Sequence, residues 1–194
     1  IECYGSNERG QLGRGMAMPG PPPPLQPPAA VTGTETWIAV ATGARTTCGL
    51  AGSGGDVYCW GENRWPGTLG FPTAGMPTEP QATPRRVGTL QAAQIDAGDA
   101  FVCARSAMGV LSCWGEGDYG RLGDGNMEDS VEPVTVLGGP YRMVALGNQF
   151  ACALPQDQNE LPRCWGRNIN GQLANGSAGD ATNSATPATI RLCD

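Results

Sequence analysis

The sequence predicts an all-β fold in which one small sheet is repeated along the chain, and three observations predict it. A stretch that opens on a cysteine and an aromatic and closes on a leucine occurs four times. The copies run from Cys3-Tyr4-Gly5 to Gly10-Gln11-Leu12-Gly13, from Cys59-Trp60-Gly61 to Gly67-Thr68-Leu69-Gly70, from Cys113-Trp114-Gly115 to Gly120-Arg121-Leu122-Gly123, and from Cys164-Trp165-Gly166 to Gly171-Gln172-Leu173-Ala174. Successive opening cysteines stand 56, 54 and 51 residues apart, the range in which self-similarity means one supersecondary unit per repeat. Glycine and proline supply nearly a quarter of the 194 residues, and no window carries a sustained 3.6-residue apolar period. Short strands joined by turns are therefore expected in place of long helices.

The chain opens at Ile1, inside the first copy, so Cys3 lacks the upstream cysteine partner that later copies have. Such a start is read as processing, or as a segment cut from something longer. Residues 16–30 follow and include Pro19, Pro21, Pro22, Pro23, Pro24, Pro27 and Pro28. Proline has no amide donor, so this stretch is expected as an exposed polyproline II loop outside any sheet. It is also a candidate for attached glycans.

From Val31 the first complete unit unfolds, and two more follow in the same register. A β-branched residue (Val40, Ile95, Val144) stands three residues before a glycine (Gly43, Gly98, Gly147), and a cysteine (Cys48, Cys103, Cys152) stands five residues after it. Small or polar turn residues come next, and the chain returns through Cys59-Trp60, Cys113-Trp114 or Cys164-Trp165. A strand, a glycine turn and a second strand that folds back on a third are expected in each unit. Cys48 with Cys59, Cys103 with Cys113 and Cys152 with Cys164 lie 10 to 12 residues apart, the right separation for a disulfide across a hairpin. Zinc would want Cys-x-x-Cys or Cys/His clusters, and neither pattern is present. Variable loops (71–81, 124–132, 175–186) then lead to a proline before an apolar residue: Pro84 with Val87, Pro133 with Val136, Pro187 with Ile190.

Charge and residue types narrow the chemistry. The 12 basic residues are all arginine, histidine is absent, and the net charge is −6. That balance opposes nucleic-acid binding, which rests on neutralising phosphates. Without histidine there is no histidine-based triad and no histidine metal site. Asp118, Asp124, Glu128 and Asp129 cluster in sequence but read as a solvated acidic loop, and residues 124–129 lack the glycine and distal glutamate of a calcium hand. No cofactor is expected. No apolar run reaches the roughly 18 residues a membrane span needs. Disulfides and the sequon Asn175-Gly176-Ser177 together predict a secreted, extracellular chain glycosylated at Asn175.

The order Gly, five residues, Cys, a hairpin into Cys-Trp-Gly-x-Asn-x-x-Gly-Gln-Leu-Gly, a loop, and Pro-x-x-Val resembles the regulator-of-chromosome-condensation repeat family over nearly the whole chain outside the proline-rich loop. Gly117 replaces the asparagine, Ala174 replaces the last glycine, and residues around Trp65-Pro66 lengthen the second copy. The resemblance implies a single β-propeller domain over 1–194, with three complete blades, a split or shortened fourth, and one disulfide per blade. The cysteine-bearing form is similar to secreted members of the family. Leu12, Leu69, Leu122 and Leu173, with Tyr4, Trp60, Trp114 and Trp165, are expected to pack between blades. Family propellers usually have seven blades. Joining the chain ends would set Cys193 beside Cys3 as a fourth pair, either by closing a small ring within one chain, the favoured geometry, or by head-to-tail contact between chains.

The expected function is a non-catalytic extracellular structural or interaction module, in its finer form a glycosylated assembly or fibril subunit whose partners are other protein chains, including copies of itself. The alternative is a secreted binding module or enzyme inhibitor, since secreted propellers of the family include inhibitors of β-lactamases. Trp37 and Trp65, which do not repeat, are candidate contact residues, and an aromatic loop face around Trp65, Phe71 and Tyr119 would serve the inhibitor. Nucleotide exchange on a small GTPase, as in nuclear members, fits neither the cysteine pattern nor the short chain.

Overall fold

The structure is a computed structural model and describes residues 1–18, 25–63, 67–72 and 80–191. Fourteen strands follow one another: β1 (Glu2–Gly5), β2 (Gln26–Ala30), β3 (Trp37–Thr42), β4 (Thr46–Ala51), β5 (Asp56–Gly61), β6 (Gln81–Gln91), β7 (Gln94–Ala97), β8 (Phe101–Arg105), β9 (Leu111–Gly115), β10 (Ser130–Thr135), β11 (Tyr141–Leu146), β12 (Phe150–Pro155), β13 (Arg163–Gly166) and β14 (Ser184–Thr189). They form three four-stranded antiparallel meanders, β3-β4-β5-β6, β7-β8-β9-β10 and β11-β12-β13-β14, preceded by a two-stranded half-sheet, β1-β2.

Each meander is built on the hairpin the cysteine spacing predicts. Cys48 faces Cys59, Cys103 faces Cys113 and Cys152 faces Cys164 as register partners. The Cα atoms of each pair are 4.1 Å apart and all three pairs are disulfide-bonded. Val40, Ile95 and Val144 lie on the innermost strands. The glycines that end those strands bring neighbouring sheets together: a Cβ on Gly43 would fall 2.3 Å from the Gly98 carbonyl oxygen, and one on Gly98 would fall 2.7 Å from that of Gly147. A side chain at either place would push the sheets apart. Pro84, Pro133 and Pro187 lie on the outermost strands, where a missing amide costs no ladder bond.

The core sits between sheets. One buried cluster joins Leu50, Val57 and Leu69 of the first unit to Ile95, Val102 and Trp114 of the second. The next joins Phe101, Leu111 and Leu122 to Val144, Ala151 and Trp165. Successive meanders thus bury one another's faces, which is how a propeller packs.

One expectation changes. The stretch 16–30 is not all loop: Gln26–Ala30 forms β2, paired with β1 at Glu2–Ala30, Cys3–Ala29 and Gly5–Gln26. Pro27 and Pro28 are tolerated because β2 is an edge strand and the register is irregular there; residues 19–24 lie outside the described ones. The half-sheet shares no ladder with the last meander among the described strands. The expected Cys3–Cys193 pair falls on residues of which only Cys3 is described. Cys3 is a free thiol facing Ala29, and Cys193 lies outside the described residues. No described helix is long and apolar enough to cross a membrane.

Candidate functional site

The repeated stretch is the joint between one sheet and the next. Trp60, Trp114 and Trp165 are fully buried. Each indole Nε1 donates to a carbonyl in the preceding turn: Trp60 to Gln11 at 3.0 Å, Trp114 to Thr68 at 3.2 Å and Trp165 to Arg121 at 3.0 Å. The leucine beside that carbonyl is buried in every copy, Leu12, Leu69, Leu122 and Leu173 alike. The glycine after it takes a left-handed backbone under the indole; at Gly123 (φ 70°) a Cβ would lie 2.6 Å from the Trp165 Nε1. Only glycine meets both demands.

The asparagine of the motif holds the turn, a role its spacing alone did not reveal. The amide N–H of Leu12 donates to Asn7 Oδ1 at 3.1 Å, that of Leu69 to Asn63 Oδ1 at 3.3 Å, and that of Leu173 to Asn168 Oδ1 at 2.9 Å. Where Gly117 replaces the asparagine, the turn is rebuilt as a 3-10 segment over Asp118–Gly120. There the Gly117 amide donates to Asp129 Oδ1, and buried Arg121 pairs with Glu116 at 2.7 Å while its Nε donates to the Asp118 carbonyl.

At the N-terminal half-sheet the described residues do not cover the aromatic. Tyr4, in the tryptophan position, is 73 % exposed, so the expected packing between blades holds for the three tryptophans and fails for Tyr4. The Arg14 guanidinium donates to the carbonyls of Cys3, Pro27 and Ala29 and so fastens the two strands together. Burial pushes the Cys3 thiol pKa above its ordinary value, against the opposing charge of Arg14. Beside β1 lies a groove of about 460 Å³ lined by Ile1, Cys3, Tyr4, Leu12, Val40 and Thr47. In a complete sheet the second strand would occupy that edge of β1.

The other candidates scatter. Trp37 is half-buried and packs on its own sheet, with ring centroids 5.5 Å from Tyr58 and 5.4 Å from Trp60. Phe71 is not a surface residue: it belongs to the buried cluster between the first two meanders, with the Arg85 guanidinium 4.4 Å above its ring. Tyr119 is half-buried between the guanidiniums of Arg121 and Arg167. Trp65 lies outside the described residues. Phe71 is buried, and Trp37 and Tyr119 attach to different sheets, so no common aromatic face forms from them. Asp118, Glu128 and Asp129 are exposed, and Asp124 accepts from Asn126 within its own loop. Among the described residues no three His, Cys, Asp or Glu side chains could hold a metal ion. Asn175 accepts on its side-chain oxygen from Ser177 Oγ at 2.6 Å, from the Ser177 amide at 3.1 Å and from Asn168 Nδ2 at 3.2 Å.

Comparison with known proteins bears on this arrangement. The regulator of chromosome condensation (RCC1) repeat matches residues 109–154, and a second description of the same repeat matches residues 37–64. The ultraviolet-B receptor UVR8 of Arabidopsis thaliana is 31 % identical over 194 residues, spanning 98 % of this chain and 42 % of the receptor. The E3 ubiquitin-protein ligase HERC2 of Homo sapiens is 30 % identical over 185 residues, 91 % of this chain and 4 % of the ligase. The chain thus spans less than half the length of either relative. Among solved structures, yeast RCC1 (Prp20), solved with Kap60 bound, superposes with a TM-score of 0.79 at 24 % identity, covering all of this chain and 46 % of that one.

Proposed function

Because the chain is built of RCC1-family repeats, we propose that it works by protein contact, as a non-catalytic extracellular module that serves as a glycosylated assembly subunit. The observation that carries the reading is the run of RCC1 repeats, each complete one clamped by a hairpin disulfide. The three hairpin disulfides favour an oxidising compartment. At Asn175 the three hydrogen bonds fall on the side-chain oxygen, so the amide nitrogen, the atom that would carry a glycan, stands outside them. The proposed partners are other protein chains, copies of this one included, and not nucleic acid, given the net charge of −6. Of the three aromatics behind the inhibitor alternative, Phe71 is buried.

The test is to express the full chain through a secretory pathway and examine the native product by non-reducing peptide mapping, release by N-glycosidase and light scattering. Three oxidised hairpins, a glycan on Asn175 and a particle heavier than one chain are expected. A reduced, unglycosylated single chain overturns the proposal.

A further inference from the structure

The two joints between complete meanders differ at two buried positions. Between the second and third meanders, Arg121 stands directly before the motif leucine and is fully buried. Its guanidinium pairs with Glu116 at 2.7 Å and lies 6.0 Å from the centre of the Phe101 ring. Between the first and second meanders the same three places in the repeat are held by Thr68, Glu62 and Thr46. Thr68 and Arg121 are matched in space as well as in sequence, since each lends its carbonyl to the indole of the next sheet. The carboxylate is kept, but threonines replace the arginine and the phenylalanine. Where the second joint is filled by a long side chain and a ring, the first has a cavity of about 310 Å³, whose lining includes Arg45, Thr46, Glu62, Thr68, Asp99 and Ala100.

The cavity keeps acceptors to spare. The Arg9 and Arg45 guanidiniums both take the same oxygen of Glu62, Oε1, at 3.2 and 3.4 Å, so Oε2 stands outside both pairs. The Asp99 carboxylate takes part in none of the ion pairs among the described residues. An anion entering here would face both carboxylates, while the charge of Arg45 is already answered by Glu62. A guanidinium fits better, because its planar fork of donors can reach two separate acceptors at once. The volume lies near the lower bound of about 300 Å³ for ligand pockets, which suits the head of one side chain.

We propose that the cavity between the first two meanders binds an arginine side chain presented by a partner chain, with Glu62 and Asp99 accepting from its guanidinium. The incoming arginine takes the place that Arg121 fills at the next joint. The pocket lies between two complete sheets and is independent of assembly and of glycosylation, so the inference goes beyond the reading above and does not depend on it.

Titration of the isotope-labelled full chain with Nα-acetyl-arginine amide, followed by NMR, tests it. Saturable shifts are expected on the backbone amides of Arg45, Asp99 and Ala100. Nα-acetyl-lysine amide should bind about tenfold more weakly or worse, since an ammonium has no fork. Asp99→Asn should weaken the arginine probe by about tenfold. Thr46→Phe combined with Thr68→Arg rebuilds the filling of the next joint and should abolish binding. Free arginine should bind no more tightly than the capped probe; tighter binding would make the ligand a small molecule and overturn the assignment to a partner's side chain. No saturable shift, an equal response to the lysine probe, or an affinity untouched by Asp99→Asn overturns the site. A folded double variant that still binds overturns it too, and the probe pair with Asp99→Asn decides the matter even if that variant does not fold.

Discussion

The first and third copies of the repeat use the same local rules and reach opposite ends. Tyr4 and Trp114 both follow a cysteine, precede a glycine of φ 108° and lie on a strand paired antiparallel with an outer strand. Trp114 is fully buried and Tyr4 is 73 % exposed. The difference is the turn that precedes each in space: Thr68 offers its carbonyl to the Trp114 indole, and the described residues offer Tyr4 no such turn. Burial in this fold is therefore conferred by the neighbouring sheet, as in arrays stabilised by nearest-neighbour interfaces.

The widest separation between the two copies is expected on truncation. Trp114→Ala removes a fully enclosed side chain and leaves the Thr68 carbonyl without its donor, at a cost of about 3–5 kcal/mol. Tyr4→Ala should change the stability of the single chain by no more than about 0.5 kcal/mol. Urea unfolding at low protein concentration measures both, and equal losses would break the comparison.

A smaller contrast concerns the residue beneath the aromatic. Gly123→Ala imposes a left-handed φ of 70° on alanine and drives a methyl to 2.6 Å from Trp165 Nε1, which should cost about 2–4 kcal/mol. Ala174→Gly, at the uncovered turn, relieves strain but loosens the unfolded chain, so its net effect should stay within about 1 kcal/mol. Thermal unfolding of the two variants compares them directly. A large loss at 174 would mean that the alanine methyl already packs within one chain.

Much of the covered part of the molecule was legible in the sequence. The spacing of Cys48, Cys59 and their equivalents fixed the hairpins because a period-two strand admits one register that places the cysteines opposite each other. The tryptophans were legible as packing residues because they recur. Legibility failed where a residue's environment comes from outside the repeat. Phe71 does not recur, so nothing in its own copy announced that it fills the space between the first two meanders. Pro27 and Pro28 argued against a strand, yet the outermost position of β2 asks for no amide from them. Ala174 read as a local departure, and only the Cβ distances at Gly13, Gly70 and Gly123 make it informative. The role of Asn7, Asn63 and Asn168 was written in the motif, but a buried side-chain acceptor for the leucine amide needs the folded turn to be seen.

The finest contrast lies between Cys3 and the clamped cysteines. Cys59, Cys113 and Cys164 each face a cysteine across the sheet, whereas Cys3 faces Ala29 and keeps its thiol. The thiolate is the reactive form, and burial disfavours it more than the Arg14 charge favours it, so the folded pKa lies above the ordinary thiol value. In a Cys193→Ser background, alkylation of folded Cys3 by iodoacetamide should therefore lag behind that of the denatured chain at neutral pH. The gap should close as the pH rises through the folded pKa. Arg14→Gln removes the opposing charge and should push the half-maximal pH higher still. A folded thiol that alkylates faster than the unfolded one would mean that the arginine outweighs burial.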